Sequence, residues 1–392
     1  MCFFLFGFAG PKAMPINNIV IDDEDLLSVQ KVLALYSEQL IPEDDVNPII
    51  SPLSLYLNLS MVAETVNNEV KADILEFLSV DSLDNLRYIN QSIVNAYVDD
   101  SIAKHFKLRN LLHRDLSIYQ DELYNEEVVD VLEQNYNVID AIINLKQEGA
   151  DKISESIRET TDGFLNVPKE DIDKSIQDYT ANILTNILYF DDQWQEKFKK
   201  SEIGKMDFFS DSENSKAVNA LLGEKEGLYF KDDNCAIGSL DFNGGCKMFF
   251  ILPDSDKTIS DVLSSQVISD IISGDILFYD ASINYKIPKY DISYYHEMTD
   301  ILKTNGLESL FTEQLDSPFY LGNSYLYNDI IQCSRIVLAE DGVKAASATL
   351  TFGGCAAPSS PMNVTIHLNR PFIYLIVTSQ NIILFSGIIN NL

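Results

Sequence analysis

The sequence predicts an α+β fold in one large domain, on three observations. Strand-like and helix-like segments are interspersed along all 392 residues without the regular βαβ alternation of a parallel-sheet protein. No internal repeat or low-complexity linker divides the chain. Apolar residues make up 46% of the sequence, which is enough for an extensive core. We therefore expect residues 1–19 to be an N-terminal extension or signal remnant and residues 20–392 to form a single domain.

The charge balance limits the classes of partner. The chain carries 60 acidic and 28 basic residues, so its formal net charge is −32. Nucleic acids and heparin-like polyanions require basic patches, and we expect neither as a partner. No segment approaches the roughly 20 apolar residues that a transmembrane helix needs. We expect a monomer that is secreted or at the cell surface, although the sequence leaves a cytoplasmic location open.

The first half of the chain is predicted to be mostly helical. The acidic run Asp22–Asp25 precedes apolar residues at helical spacing up to Leu40, which is typical of an amphipathic helix with acidic residues at its N-terminus. Ser51-Pro52 predicts the start of a second helix, because serine is a favoured cap and proline a favoured first-turn residue. Residues 66–178 are predicted to contain further helices with intervening strands.

The second half is predicted to be dominated by strands. Asn182–Phe190 is rich in β-branched residues, and Asn186 within it needs a buried hydrogen-bond partner. Trp194 is predicted to anchor the core. Residues 208–253 indicate meandering strands. The remaining predicted elements are a strand at Ile283–Ile292, a helix at Met298–Leu310 that closes near Gly306, and strands at Ile330–Leu338, Pro371–Thr378 and Ile382–Ile388.

The stretch after Glu340-Asp341 has a strand pattern but leads into a loop. Read with period two, one face holds only small or β-branched uncharged residues, namely Val343, Ala345, Ser347, Thr349 and Thr351. The other face carries Lys344, Ala346, Ala348 and Leu350. Gly353-Gly354 and the Pro/Ser-rich residues 358–361 then predict an exposed loop. A strand-competent segment tethered to a loop can exist in two states.

The length of this loop indicates a function. Nearly thirty residues separate Gly342 from Arg370, and loops beyond roughly 15 residues in a compact domain are usually functional or disordered. A protease substrate site has to be exposed, extended and mobile, and this composition favours all three. The segment therefore has the properties that a protease substrate site requires.

Standard catalytic and metal-binding signatures are absent from the sequence, and we expect no cofactor. The four histidines are dispersed, without a pair at metal-ligand spacing. One enzymatic alternative is a cysteine hydrolase with Cys355 as nucleophile and His367 as base. An activated thiolate needs a fixed electropositive pocket, whereas Cys355 lies between glycines and a Pro/Ser loop, so we disfavour this alternative.

Several motifs resemble those of the serpin family of protease inhibitors. Glu340-Asp341-Gly342 followed by the Ala/Ser/Thr run resembles the hinge of a serpin reactive-centre loop. Asn369–Ile373 and Leu384–Gly387 resemble the family's C-terminal signatures. Asn182–Phe190 followed by Trp194 resembles its central strand. Thr160–Leu165 is similar to its Thr-x-Gly turn, with Phe164 where a lysine is more usual. The resemblance covers about residues 20–390.

The resemblance implies three β-sheets, about eight to nine helices and an exposed reactive-centre loop at about residues 342–368. It implies that Ser51, Ser54, Asn186 and Trp194 belong to the shutter and breach regions, which lie beneath and at the upper end of the main sheet. The implied hinge residues are Glu340, Gly342, Val343, Ala345, Ala346, Ser347, Ala348 and Thr349.

The resemblance also implies irreversible suicide inhibition of a serine protease. The protease cleaves the loop and forms its acyl-enzyme, and the freed hinge then inserts into the main sheet and distorts the attached protease. Inward-facing residues must be uncharged, because a buried charge costs several kcal/mol. The implied alternative is a non-inhibitory serpin that acts as a carrier or chaperone.

The reactive bond is predicted from the family's spacing. Counting forward from Glu340 gives Ala356 as P1 and Ala357 as P1′, with Cys355 as an alternative P1, whereas counting backward from Pro371 reaches about Ser360. The forward count keeps the segment between the hinge and the acyl bond at the length that insertion requires. Residues 345–369 contain no Lys, Arg, Asp or Glu. A small P1 suits elastase-like or subtilisin-like serine proteases, and a papain-like cysteine protease stays open.

Overall fold

The computed structural model describes residues 19–43, 46–97, 106–177, 180–211, 214–322, 324–343 and 362–392. Within these ranges the chain forms eleven α-helices and sixteen β-strands. The helices are α1 (Asp23–Gln39), α2 (Pro52–Thr65), α3 (Asn68–Phe77), α4 (Leu83–Tyr97), α5 (Leu116–Gln120), α6 (Glu126–Tyr136), α7 (Ala150–Thr160), α8 (Lys169–Ser175), α9 (Ile259–Ser264), α10 (Val267–Ser273) and α11 (Thr299–Leu302).

The strands occur throughout the chain but are concentrated after residue 180. They are β1 (Ile49–Ile50), β2 (Phe106–Asp115), β3 (Val138–Ile143), β4 (Asn182–Phe190), β5 (Asp192–Gln193), β6 (Ile203–Phe209), β7 (Ser215–Lys231), β8 (Cys235–Asp241), β9 (Lys247–Pro253), β10 (Tyr279–Pro288), β11 (Tyr290–Glu297), β12 (Ile331–Ala339), β13 (Gly342–Val343), β14 (Met362–His367), β15 (Phe372–Val377) and β16 (Ile383–Ile389).

These strands form three sheets. The largest has nine strands in the order β1-β16-β15-β9-β8-β7-β10-β14, with β6 also paired to β7. The second has four strands, β11-β12-β13-β5, and the third has three, β3-β2-β4. Because only Asp191 separates β4 from β5, the second and third sheets share one continuous chain segment at that point.

The core lies between the sheets and helix α2. Every residue of β15 and β16 is buried, as is every residue of α2 except Asn58. A helix that is buried on nearly all sides is held in place by the elements that surround it. Helix α2 is therefore a fixed internal support, and its N-terminal turn lies behind β4 and β12.

The predicted three sheets and α+β class are confirmed. Eight of the eleven helices are seven residues or longer, and α5, α9 and α11 are single turns of four to six residues. Helix α1 begins with Asp23, Glu24 and Asp25, which lie near the positive end of the helix dipole. The predicted strand Asn182–Phe190 coincides with β4.

One element prediction is wrong, and a second is correct in its closure near Gly306 but not in its full length. The predicted strand Ile283–Ile292 is divided between two sheets. Pro288 has no N–H to donate to a neighbouring strand, and at Lys289 the chain passes from the nine-stranded sheet to the four-stranded sheet. The predicted helix Met298–Leu310 is interrupted, since Asn305 and Gly306 have non-helical backbone angles. A π-helical turn and a 3-10 turn complete that segment.

The hinge enters the second sheet as strand β13. Gly342 pairs with Ala339 on β12 and with Gln193 on β5, and Val343 continues both pairings. Gly342 has a φ of +149°, and a Cβ there would lie 2.3 Å from the Asp192 carbonyl oxygen. Only glycine fits this backbone conformation and this close approach.

We predict that Gly342→Ala lowers the midpoint of thermal unfolding by on the order of 5 °C, because the new methyl group forces β13 away from β5. Gly274→Ala is the matched control, since Gly274 has a φ of +82° but nothing within 4 Å of the position that an added methyl group would take. The control should shift the midpoint by only about 2 °C. Differential scanning calorimetry measures both values, and equal shifts would contradict this account of the hinge.

Candidate functional site

An open gap separates strands β4 and β12. A cavity of about 720 Å³ lies between them, with α2 behind it and α7 in front. Strand β4 pairs with β2 on one edge, and no strand among the described residues pairs with its other edge. Strand β12 pairs with β11, and its gap-side edge is paired only at Leu338 and Ala339. The two edges therefore present backbone hydrogen-bonding groups to the cavity.

The N-terminal turn of α2 contacts the β12 side of the gap through Ser51. The backbone N–H of Ser51 donates to Gln332 Oε1 at 2.8 Å, and Gln332 Nε2 donates to the Ser51 carbonyl at 2.9 Å. Ser51 Oγ donates to the Leu384 carbonyl at 2.8 Å and accepts a long bond from Ser54 N–H at 3.4 Å. Ser51 thus caps α2, as predicted, and also joins α2 to β12 and β16.

The same turn contacts the β4 side through Ser54. Ser54 Oγ donates a short hydrogen bond to Asn186 Oδ1. Asn186 Nδ2 donates to Asn110 Oδ1 at 2.6 Å, and Asn110 Nδ2 donates to the Tyr136 carbonyl at 2.7 Å. Asn186 has the buried partners that its position in an apolar strand requires. Ser51, Ser54 and Asn186 therefore meet at the floor of the gap, and α2 spans both of its edges.

Gln332 completes this polar cluster, although sequence reasoning did not identify it. Ser334, Ile336 and Leu338 are buried at alternating positions of β12, so Gln332 lies on the same face of the strand. A glutamine in line with core-facing residues was a signal that a polar partner lay behind the strand. Its partner is 281 residues away in the chain.

Trp194 lies next to the hinge, at the end of the gap where the hinge begins; this end is called the upper end. It is 1% exposed and stacks on Phe242 with ring centroids 4.6 Å apart. Its indole Nε1 donates to the Ala339 carbonyl at 3.0 Å, and its backbone N–H donates to the Asp341 carbonyl at 3.1 Å. Trp194 is thus the core anchor that the sequence predicts, and it also orients the turn that leads into β13.

Glu340 is held by a lysine that the sequence analysis missed. The Glu340 carboxylate forms an ion pair of 2.5 Å with Lys289, the residue at which the chain passes from β10 to β11. The hydrogen bond from Lys289 lowers the pKa of Glu340 below its ordinary value. The Glu340 carbonyl also accepts from the backbone N–H of Phe198 at 3.1 Å. The start of the hinge is therefore fixed to the β10–β11 connection and to the segment between β5 and β6.

Only part of the predicted hinge and loop falls within the described residues. Val343 is 3% exposed and faces the core, in agreement with its predicted inward orientation. The other hinge positions and the candidate reactive-bond residues lie outside the described residues; these are Ala345, Ala346, Ser347, Ala348, Thr349, Cys355, Ala356 and Ala357.

The part of the chain that the structure describes offers no metal centre and no activated thiol. It contains no group of three or more potential metal ligands among His, Cys, Asp and Glu. Its three cysteines, Cys235, Cys246 and Cys333, are free. Burial raises the pKa of the Cys235 and Cys333 thiols to about 12, so both are protonated near neutral pH. Among the helices described here, none is long and apolar enough to cross a membrane.

Comparisons with known proteins agree with the geometry. Residues 30–392 match the family model described as "Serpin (serine protease inhibitor)". The Apodemus sylvaticus protein named serine proteinase inhibitor 2.4 is 23% identical over 408 residues, which cover 96% of this chain and 91% of the relative. The native structure of tengpin, a thermophilic serpin, has a TM-score of 0.78 and 21% identity, and covers 97% of this chain and 98% of that one. Human thyroxine-binding globulin, solved with thyroxine, has a TM-score of 0.77 and 18% identity, with coverages of 94% and 99%.

We predict that the stabilisation of the fold by the Glu340–Lys289 pair is complete above about pH 4.5 and declines at lower pH. Because the folded-state pKa of Glu340 is lowered, its contribution is fully present above the ordinary value of 4.5 and is lost as the pH falls through the folded-state value. For this partly exposed pair we expect about 0.5 kcal/mol at pH 7.

Thermal unfolding of the native protein and of Glu340→Gln, from pH 7 to pH 3.5, measures this contribution. The native protein should have the higher midpoint at pH 7, and the difference should become smaller as the pH falls below 4.5. Glu159→Gln, at an exposed position of α7, is the control and should show no such trend. A difference between native protein and Glu340→Gln that is as large at pH 3.5 as at pH 7 would contradict the assignment.

Proposed function

Because the chain belongs to the serpin family, we propose that it is an irreversible, suicide-substrate inhibitor of serine proteases. Its target is an elastase-like or subtilisin-like protease that prefers small residues. The protein acts as a monomer and forms a covalent acyl complex with that protease. The Apodemus sylvaticus relative carries a proteinase-inhibitor name, which supports inhibition over the carrier role of some other serpins.

The observation that carries this proposal is the gap beside β4. A cavity of about 720 Å³ borders the edge of β4 that no strand among the described residues pairs, and the hinge already contributes two paired residues at the upper end of this gap. Strand addition supplies backbone hydrogen bonds on both sides, and the side-chain pockets decide which sequences enter. The free energy of this pairing is the driving force that the inhibition requires.

The register of β13 supports the predicted inward residues. Val343 lies opposite Leu338 of β12 and Asp192 of β5. Continued without a shift, the same register would set Ala345 opposite Ile336 and Phe190. Alternation then directs Val343, Ala345, Ser347, Thr349 and Thr351 to the core and Lys344 to the outer face.

Polar residues of the hinge would also meet polar residues of the gap. In the continued register Ser347 would lie opposite Ser334, which is 4% exposed. Thr349 would lie opposite Asn186 and Gln332, the two side chains that already hydrogen bond to the first turn of α2. A buried hydroxyl group is tolerated only with such partners. The match supports insertion of this sequence in this register.

The proposed reaction begins with attack of the protease serine on the carbonyl carbon of Ala356. The peptide bond to Ala357 breaks, the new amino terminus at Ala357 leaves with a proton, and an ester joins the protease to Ala356. Residues 343–355 are then free to enter the gap with the protease attached. Distortion of the protease slows hydrolysis of the ester, so the complex persists.

We predict that an elastase forms a complex with this protein that survives denaturing gel electrophoresis. Mass spectrometry of the released C-terminal fragment should give a mass that begins at Ala357. Cleavage should also raise the temperature of unfolding, because the inserted strand fills the gap.

Loop cleavage without a complex and without greater heat resistance would support the non-inhibitory alternative. Hydrolysis of a peptide substrate by this protein without added protease, if it is abolished by Cys355→Ser, would support the cysteine hydrolase.

We predict that Ser347→Arg or Ala345→Arg converts the inhibitor into a substrate. The inserted arginine would face the core, and burying its charge costs several kcal/mol, so hydrolysis of the ester outpaces insertion. Ser347→Val is the matched control, because valine is uncharged and favours a strand. The number of inhibitor molecules cleaved per protease trapped should rise severalfold for the arginine variants only. Undiminished complex formation by both arginine variants would refute the proposed register.

A further inference from the structure

The segment that follows α7 crosses the outer mouth of the gap. This segment, Thr161–Val167, is called the strap here. Phe164, Leu165 and Val167 line the cavity, and Phe164 is only 7% exposed. Thr161 Oγ1 accepts from the backbone N–H of Leu165 at 3.0 Å, which closes the turn and directs Phe164 inward.

The strap is attached to the β12 side through Arg335. Arg335 Nη1 donates to the Phe164 carbonyl at 2.7 Å, and the centre of its guanidinium lies 4.8 Å from the centroid of the Phe164 ring. Arg335 is oriented by Asp291 on β11, through two hydrogen bonds of 2.9 and 2.8 Å. A planar guanidinium held by a carboxylate is well suited to stack on an aromatic face.

The strap is attached to the β4 side as well. The Phe164 ring packs against Tyr189 of β4 with centroids 5.6 Å apart. Asp162 forms an ion pair of 2.7 Å with Lys107 of β2. One short segment is therefore joined to both edges of the gap, and Phe164 is the residue that contacts both.

We propose that Phe164 and Arg335 form a latch that holds the two edges at their present spacing and sets the rate at which a strand enters the gap. This inference rests on the proposed function and assigns a regulator to the same site. In the continued register, residue 346 passes between Arg335 and Tyr189. Its side chain would face outward, like that of Lys344, and would enter the space between these two side chains that the Phe164 ring occupies, so Phe164 must release at least one of them.

The latch has two opposing effects on inhibition. While it is closed, it protects the uncleaved protein from premature insertion of its own loop. After cleavage, it delays insertion and allows hydrolysis of the ester to compete. A weaker latch therefore gives faster trapping of the protease but also faster spontaneous inactivation in the absence of protease.

Three variants separate the latch from general destabilisation. Arg335→Met keeps the aliphatic stem but removes the donor and the charge, and Phe164→Leu keeps an apolar side chain but removes the ring. Lys231→Met is the matched control, because it also removes a cation from an ion pair, and neither Lys231 on β7 nor its partner Asp254, just after β9, lines the gap.

Hydrogen exchange of the uncleaved protein tests the latch without any protease. We expect exchange of the backbone amides of β4 and β12 to rise about tenfold in Arg335→Met and Phe164→Leu, and much less in Lys231→Met. Equal increases in all three variants, or none in the first two, would overturn the proposal.

Stoichiometry of inhibition and inactivation on warming test the regulatory role. Both latch variants should need fewer inhibitor molecules per protease trapped and should lose activity severalfold faster on warming than Lys231→Met. If the native protein traps protease but the variants match it in both measurements, the latch proposal fails while the proposed function stands. If the native protein traps no protease, the proposed function fails, and the exchange result alone decides whether the latch holds the gap.

Discussion

The unpaired edge of β4 is the constraint on which the rest of the structure depends. This edge faces a cavity of about 720 Å³, and no other strand in the described ranges covers it. Backbone N–H and C=O groups at such an edge are a template for a further strand, and leaving them unpaired costs free energy. A sheet with the edge filled would be more stable. The proposed inhibition requires that a barrier to rearrangement, and not the lowest free energy, keeps this native state in place.

The barrier has a structural basis in the elements that join the two sides of the gap. Behind the sheet, the first turn of α2 bonds to β12 through Ser51 and to β4 through Ser54. In front, Phe164 contacts Arg335 and Tyr189. Most of these contacts are hydrogen bonds or contacts with a charged group, which have directional geometry and can be exchanged for others. Apolar packing alone would hold the edges less specifically.

The upper end of the gap determines the register in which a strand would enter. Gly342 is held between β12 and β5, Trp194 orients the preceding turn, and Lys289 binds Glu340. A slip by one residue would turn Lys344 toward the core and expose Val343, because successive side chains alternate between faces. The contact between Gly342 and Asp192 also prevents such a slip, since no other residue fits there.

The sequence by itself determined the α+β class, the bounds of β4, the start of α2 at Pro52 and the inward orientation of Val343. These depend on local properties, namely hydrophobic periodicity, capping preferences and family motifs, that a short segment carries within it. Tertiary structure alone decided that Gln332 meets Ser51, that Lys289 meets Glu340 and that Arg335 meets Phe164 across 171 residues of chain. It also decided that the strand predicted at Ile283–Ile292 is divided between two sheets at Lys289. The gap itself is the clearest case, because it arises where two strands far apart in sequence fail to pair, and no local pattern in either strand records which neighbour it lacks.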